Sequence, residues 1–139
     1  MTRSPKAYDL ALLFAALSDR TRLRLLNLMD GREVCVCYFV EILGQSQPKI
    51  SRHLAYLRRA GVVAARREGK WMHYKIVPPR DSGAAGILRE TLNALRAERD
   101  MQVDRSRLDR ACCTTKRIGT LDGAPRPVAI ETEARVVLG

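Results

Sequence analysis

Hydrophobic and polar positions change period several times along these 139 residues, and each change marks an element. From Tyr8 to Leu17 the chain is almost wholly apolar and alanine-rich, which predicts a first helix buried on more than one side. Ser18 or Asp19 caps a second helix, with Leu23, Leu26 and Met29 as its inner face and Asp30-Gly31 as its stop. A short third helix is expected over about 33–43, ending at Gly44. Gly44-Gln45 is then a tight turn into a fourth helix, about 46–60, with Ser46 as N-cap, Pro48 in the first turn and Ile50, Leu54 and Leu57 in one apolar stripe. Two helices joined in this way make a helix-turn-helix.

Over 62–77 the period shortens. Val62-Val63-Ala64-Ala65 and Trp71–Val77 flank R-R-E-G-K, where Gly69 supplies the positive φ of a hairpin turn. Trp71 and Tyr74 read as cross-strand packing. Pro78-Pro79 breaks the chain, and a long helix is expected from about Ala84 to Met101, with Ile87, Leu88, Leu92 and Leu95 on one side. That stripe lies outside the compact unit, and pairing the first and last helices across a two-fold axis would cover it in a homodimer. A shorter helix, about 103–111, leads to Cys112-Cys113, and from Ile118 onward no period remains, as in a mobile tail. The expected class is mainly α with a small β-hairpin (α+β): a dimeric winged helix-turn-helix over 1–111, followed by a vicinal cysteine pair and tail over 112–139.

Charge sharpens this picture. The formal net charge is +10 and the sequence pI about 10.1. The excess is local: 45–80 carries nine Lys or Arg (49, 52, 58, 59, 66, 67, 70, 75, 80) against one acid, Glu68. A polyanion, double-stranded DNA with a palindromic site, is the expected partner. On the fourth helix Gln47, Lys49, Ser51 and Arg52 lie opposite the apolar stripe and carry the groups that read base edges and phosphates. His53 sits at the edge of the stripe; it reads as packed rather than as a metal ligand and is counted with the groove-facing set. Arg66, Arg67 and Lys70 at the hairpin tip are expected on backbone phosphate. His73, in a hairpin strand, is expected to be half-exposed.

The apolar run at Leu10–Leu17 is too short for a membrane span and has no small-residue cleavage site after it, so a cytoplasmic protein with reduced thiols and no membrane partner is expected. No Gly-rich phosphate loop, Ser/His/Asp arrangement or paired catalytic carboxylates appear, which leaves an enzyme reading without support.

A-L-S-D-R-T-R-L-R-L-L (16–26), V-C-V-C (34–37), G-Q-S-Q-P-K-I-S-R-H-L-A-Y-L-R-R-A-G-V-V (44–63) and R-R-E-G-K-W-M-H-Y (66–74) together closely resemble the ArsR/SmtB family. The resemblance covers roughly residues 8–98. It implies a winged-helix repressor, dimeric through its first and last helices, that binds operator DNA when metal-free, releases it on binding metal or metalloid, and controls a resistance operon without catalysing a reaction.

Cys35-Val36-Cys37 is similar to the C-x-C of the family's arsenic-, lead- and cadmium-responsive members. Soft thiolates suit As(III), Sb(III), Cd(II), Pb(II) or Hg(II). The arsenic-responsive pattern has a third cysteine three residues after the second, and here that position is Val40; its usual acidic residue after the second cysteine is Tyr38. A composite site of Cys35 and Cys37 with one or both of Cys112 and Cys113 is therefore expected for arsenite or antimonite; Cys112-Cys113 as a separate two-thiol site is the other arrangement, and a two-thiol site would suit methylarsenite. Cd(II) or Pb(II) sensing through four thiolates and a thiol redox switch are the alternatives. The histidine-containing zinc site on the last helix of other members has no counterpart. On an ideal helix residues i and i+2 point about 200° apart, so one ion would take both sulfurs of the C-x-C only by unwinding the third helix.

Overall fold

The computed structural model describes residues 7–113 and 121–130. Six helices, α1 (Leu10–Leu17), α2 (Arg20–Met29), α3 (Val36–Leu43), α4 (Gln47–Arg59), α5 (Ser82–Arg96) and α6 (Arg99–Cys113), accompany a small sheet. The strands are β1 (Arg32–Cys35), β2 (Val63–Glu68), β3 (Trp71–Ile76) and β4 (Val128–Ala129), in the order β2-β3-β1-β4. Asp19 and Ser46 cap α2 and α4 as anticipated, and Asp9 and Asp81, which were not expected as caps, do the same for α1 and α5; each accepts a backbone N–H from the first turn. Gly44, at φ 64°, ends α3, and Gly69, at φ 58°, turns β2 into β3.

The core is a single apolar cluster. Leu25 and Leu26 of α2, Phe39 of α3, Ile50, Leu54 and Leu57 of α4 and Val34 of β1 are all fully buried within it. Tyr8 ties the N-terminal segment to the end of α4, its hydroxyl donating to the carbonyl of Ala60.

Three expectations are corrected. The third helix does not begin near Glu33: residues 32–35 form β1, whose Val34 and Cys35 pair with Tyr74 and His73 of β3. A strand wins because the apolar hairpin edge offers a partner for its backbone, and Val34 then drops onto the core beside Tyr74. The long helix expected to reach Met101 ends at Arg96, and the shorter helix expected over 103–111 starts at Arg99; between them, at Ala97-Glu98, N–H groups reach back only three residues, to Ala94 and Leu95. Helix α6 folds back onto α2 and α3 from there, burying Met101 and Leu108. Residues 121–130, expected to belong to the mobile tail, pack instead: Leu121 and Ala124 are buried, and β4 adds to the sheet through Arg32↔Ala129 and Glu33↔Val128. The rest of that tail, 114–120 and 131–139, lies outside the described residues.

Candidate nucleic-acid interface and thiol site

Helix α4 divides as its sequence requires. Ile50, Leu54 and Leu57 face the core, while Gln47, Lys49, Arg52, Arg58 and Arg59 are exposed and Ser51 is half-buried. Ser46 Oγ accepts from the backbone N–H of Lys49 at 3.4 Å, and Gln45 Nε2 donates to Thr21 Oγ1 at 3.0 Å, so the turn is pinned to α2. Arg22, which composition alone would assign to the cationic surface, is a clamp. Its guanidinium donates to the carbonyls of Ala16 (2.8 Å) and Ala15 (3.0 Å), contacts His53 Nδ1 at 3.2 Å and lies 4.3 Å over the Tyr56 ring. Partial burial and the surrounding cations lower the His53 pKa against the pull of Asp19, which favours the neutral ring facing Arg22. His53 thus holds α4 to α2, with one ring nitrogen turned inward rather than toward a groove.

The hairpin is the wing of the motif. Arg67 and Lys70 are exposed at its tip, with the Lys70 ammonium 4.9 Å from the Trp71 ring centre. Arg66 is engaged within the chain: its Nη2 lies 2.7 Å from Glu33 Oε1 and its Nε 3.2 Å from the same oxygen. His73 is buried, not half-exposed, with Nε2 3.2 Å from Glu68 Oε1. Directly paired residues share a face of a sheet, and so do residues two apart on a strand. Glu33, Cys35, His73, Arg66 and Glu68 therefore line the face opposite Val34 and Tyr74. Gly123 backs onto the Trp71 ring on this same face.

The two thiols of the C-x-C do not share a helix surface. Cys35 closes β1 in extended geometry (φ −69°, ψ 142°) and stands at the N-cap of α3, while Cys37 lies in the first turn. Their sulfurs are 3.2 Å apart, Cys37 donating to Cys35, and both residues are buried. The expected 200° divergence is thus overturned, and no unwinding is needed to bring the two sulfurs together. The thiol hydrogen bond from Cys37, aided by the charge of His73, lowers the Cys35 pKa to about 6 against the opposing effect of burial. The Cys37 thiol, donor in that bond and buried, is pushed up. Two thiols in contact are the donor type that soft ions prefer. Val40 is half-buried and Tyr38 buried beside it. Cys112 is half-exposed near the end of α6, its Sγ 3.2 Å from the carbonyl of Asp109. Among the described residues no cluster of three or more His, Cys, Asp or Glu is arranged to hold a metal, and the Cys113 thiol lies outside them.

Sequence reading missed Arg22 and Glu33 as organisers of this surface. Glu33 had a signal: once 32–35 is a strand, a carboxylate two residues before Cys35 must share its face.

A basic helix-turn-helix followed by a charged hairpin defines a winged-helix DNA-binding regulator. Residues 19–65 match the bacterial regulatory protein, arsR family. The chain is 48% identical over 79 residues to the arsenical resistance operon repressor of Escherichia coli K12, covering 56% of this chain and 68% of that protein. It is 45% identical over 83 residues to the arsenic resistance transcriptional regulator ArsR2 of Pseudomonas putida KT2440, covering 59% and 72%. Among solved structures, HlyU from Vibrio cholerae N16961 superposes with a TM-score of 0.53 at 28% identity, over 63% of this chain and 91% of that one. The chain belongs to the arsR family of transcriptional regulators. No helix among the described residues is long and apolar enough to cross a membrane.

Proposed function

We propose that the protein is a homodimeric repressor that binds a palindromic operator of a resistance operon and releases it when a trivalent metalloid is taken by cysteine thiolates. Arsenite and antimonite fit a site in which Cys112 or Cys113 joins Cys35 and Cys37; methylarsenite fits the dithiol alone. The observation that carries the reading is the buried sulfur pair at 3.2 Å, at the head of a helix leading directly into α4, in a chain so similar to arsenical operon repressors. Groove contacts fall to Gln47, Lys49, Ser51 and Arg52, and phosphate contacts to Arg67 and Lys70. Leu10 and Phe14, exposed four residues apart on α1, supply an apolar face for the partner subunit.

The packing around the sulfur pair couples ligand binding to release. Two sulfurs 3.2 Å apart can hold one ion from the side through metal–sulfur bonds of about 2.3 Å, but the core around them is packed, so an entering ion displaces the head of α3 from the end of β1. Helix α3 packs on α4 and joins it through Gly44-Gln45-Ser46, so the displacement tilts the reading helix. Converting a population 99% competent for DNA to 1% takes about 5.5 kcal/mol of differential affinity, which two or three metal–thiolate bonds supply.

Footprinting of the protein's own upstream region tests the reading. A two-fold symmetric protected stretch that disappears with added arsenite supports it. A footprint indifferent to arsenite but lost with Cd(II), Pb(II) or mild peroxide would transfer the role to the alternative inducers. Protection of any duplex alike would leave an unspecific DNA binder.

A further inference from the structure

One wing cation is not available as the sequence suggests. Arg66 makes a two-point contact with Glu33 (Nη2 to Oε1 at 2.7 Å, Nε to Oε1 and Oε2 at 3.2 and 3.4 Å) that reaches from β2 across β3 to β1. The two ends differ in freedom. The Glu33 side chain is 12% exposed and seated in the sheet, whereas the Arg66 side chain is half exposed on the hairpin. The nearby Glu68 carboxylate, 3.5 Å from Arg66 Nη1, also contacts the buried His73 and so adds a second anionic hold on the same guanidinium. Arg66 as donor and Glu33 as fixed acceptor reproduce the fork geometry by which arginine grips a DNA phosphate. The carboxylate occupies the donors that a phosphate would use.

We infer that Glu33 is a built-in competitor for DNA phosphate, holding the wing arginine Arg66 back from the duplex. This rests on the DNA-binding reading above and adds to it a positioning residue in β1, outside both the reading helix and the hairpin. Glu33 stands two residues before Cys35 on the same strand and the same face, so its hold on Arg66 shares a support with the thiol pair. With its side chain half exposed, Arg66 is open to a phosphate once the carboxylate is removed or moved.

The test is a double-mutant cycle on binding to the upstream duplex, read by fluorescence anisotropy across a salt series. Wild type, Glu33→Gln, Arg66→Gln and the double variant are compared, with Glu33→Asp as a second release variant should the amide disturb β1. Glu33→Gln is expected to tighten binding roughly three- to fivefold, since the competitor removed holds an arginine that is itself half exposed. It is also expected to steepen the slope of log affinity against log salt by about 0.9, the signature of one added phosphate contact. Both gains are expected to vanish when Arg66 is also replaced. A Glu33→Gln variant with wild-type affinity and slope overturns the inference. A gain that persists without Arg66 also overturns it, because deleting a negative charge anywhere on the wing would then suffice. If wild type itself binds no duplex, the DNA-binding reading falls, and this inference falls with it.

Discussion

Helix α2 meets its neighbours on two sides by different means. Toward α4 the contact is uncharged at its centre, with Leu25, Leu26, Ile50, Leu54 and Leu57 all fully buried. Toward α6 the same helix uses directed polar bonds. Arg24 grips the buried Asp104 at 2.8 and 3.1 Å, Asn27 donates to the carbonyl of Met101 at 2.9 Å, and Arg105 returns a bond to the carbonyl of Asn27 at 2.7 Å. Ion pairs from neighbouring elements add to the set: Arg96 of α5 with Asp30, the C-cap of α2, and Arg32 of β1 with Asp109 of α6. Apolar burial is non-directional and supplies most of the free energy of folding. Polar pairs add less, but they fix one register of α6 on the helix-turn-helix and, through it, the C-terminal cover of the sheet.

The largest effect should come from the apolar side. Leu54→Ala is expected to cost about 2–5 kcal/mol, read from the urea midpoint, because the cavity sits in a close-packed cluster. A loss under about 1 kcal/mol would mean that α4 is not seated as described. On the polar side, Asp104→Ala leaves Arg24 partly buried without its partner and should cost about 3 kcal/mol, whereas Arg24→Leu with Asp104→Leu should come close to wild type. If the double variant is as damaged as the single, α6 docking is not an ion-pair effect. Asp109→Ala removes a pair whose carboxylate is 60% exposed and should cost under about 1 kcal/mol.

The smallest effect is an acid sensitivity. The hydrogen-bonded Arg66 guanidinium, opposed by partial burial, holds the Glu33 carboxyl below the usual carboxylate range. A depressed folded-state value stabilises the fold above the unfolded pKa of about 4.3, and that contribution is lost as pH falls through the folded value. Thermal melts from pH 6 down to pH 3 should therefore fall less steeply for Glu33→Gln than for wild type. Equal slopes would show that the pair does nothing for stability.

The same contrast explains what was legible in the sequence. Ile50, Leu54 and Leu57 declared both the reading helix and its buried side, because period and burial are the same information. Ser46, Gly44 and Gly69 declared the boundaries through backbone chemistry. The fold-back of α6 carried no such mark: Ala97-Glu98 contains no helix breaker, and the helix stops because Met101, Asp104 and Leu108 have partners on α2 and α3. β1 was misread for a related reason. Four residues are too few to show a period, and only pairing with β3 makes them a strand. That error passed straight into the thiol site, where Cys35 and Cys37 were expected to diverge on a helix and instead meet across a strand–helix junction. The exposed cations of α4 were legible as a surface, but Arg22 and Arg66 were not, since nothing in a charge count tells a surface arginine from one spent on a carbonyl or a carboxylate.

The measurement that bears most directly on the central claim is arsenite-driven release of the upstream duplex by wild type and by Cys35→Ser/Cys37→Ser, compared at equal DNA occupancy, with Cys112→Ser/Cys113→Ser alongside to count ligands. Wild type is expected to let go, while Cys35→Ser/Cys37→Ser binds the duplex normally and holds it at every arsenite concentration. Release of the Cys35→Ser/Cys37→Ser variant at the wild-type concentration would contradict it, and would move sensing away from the head of α3.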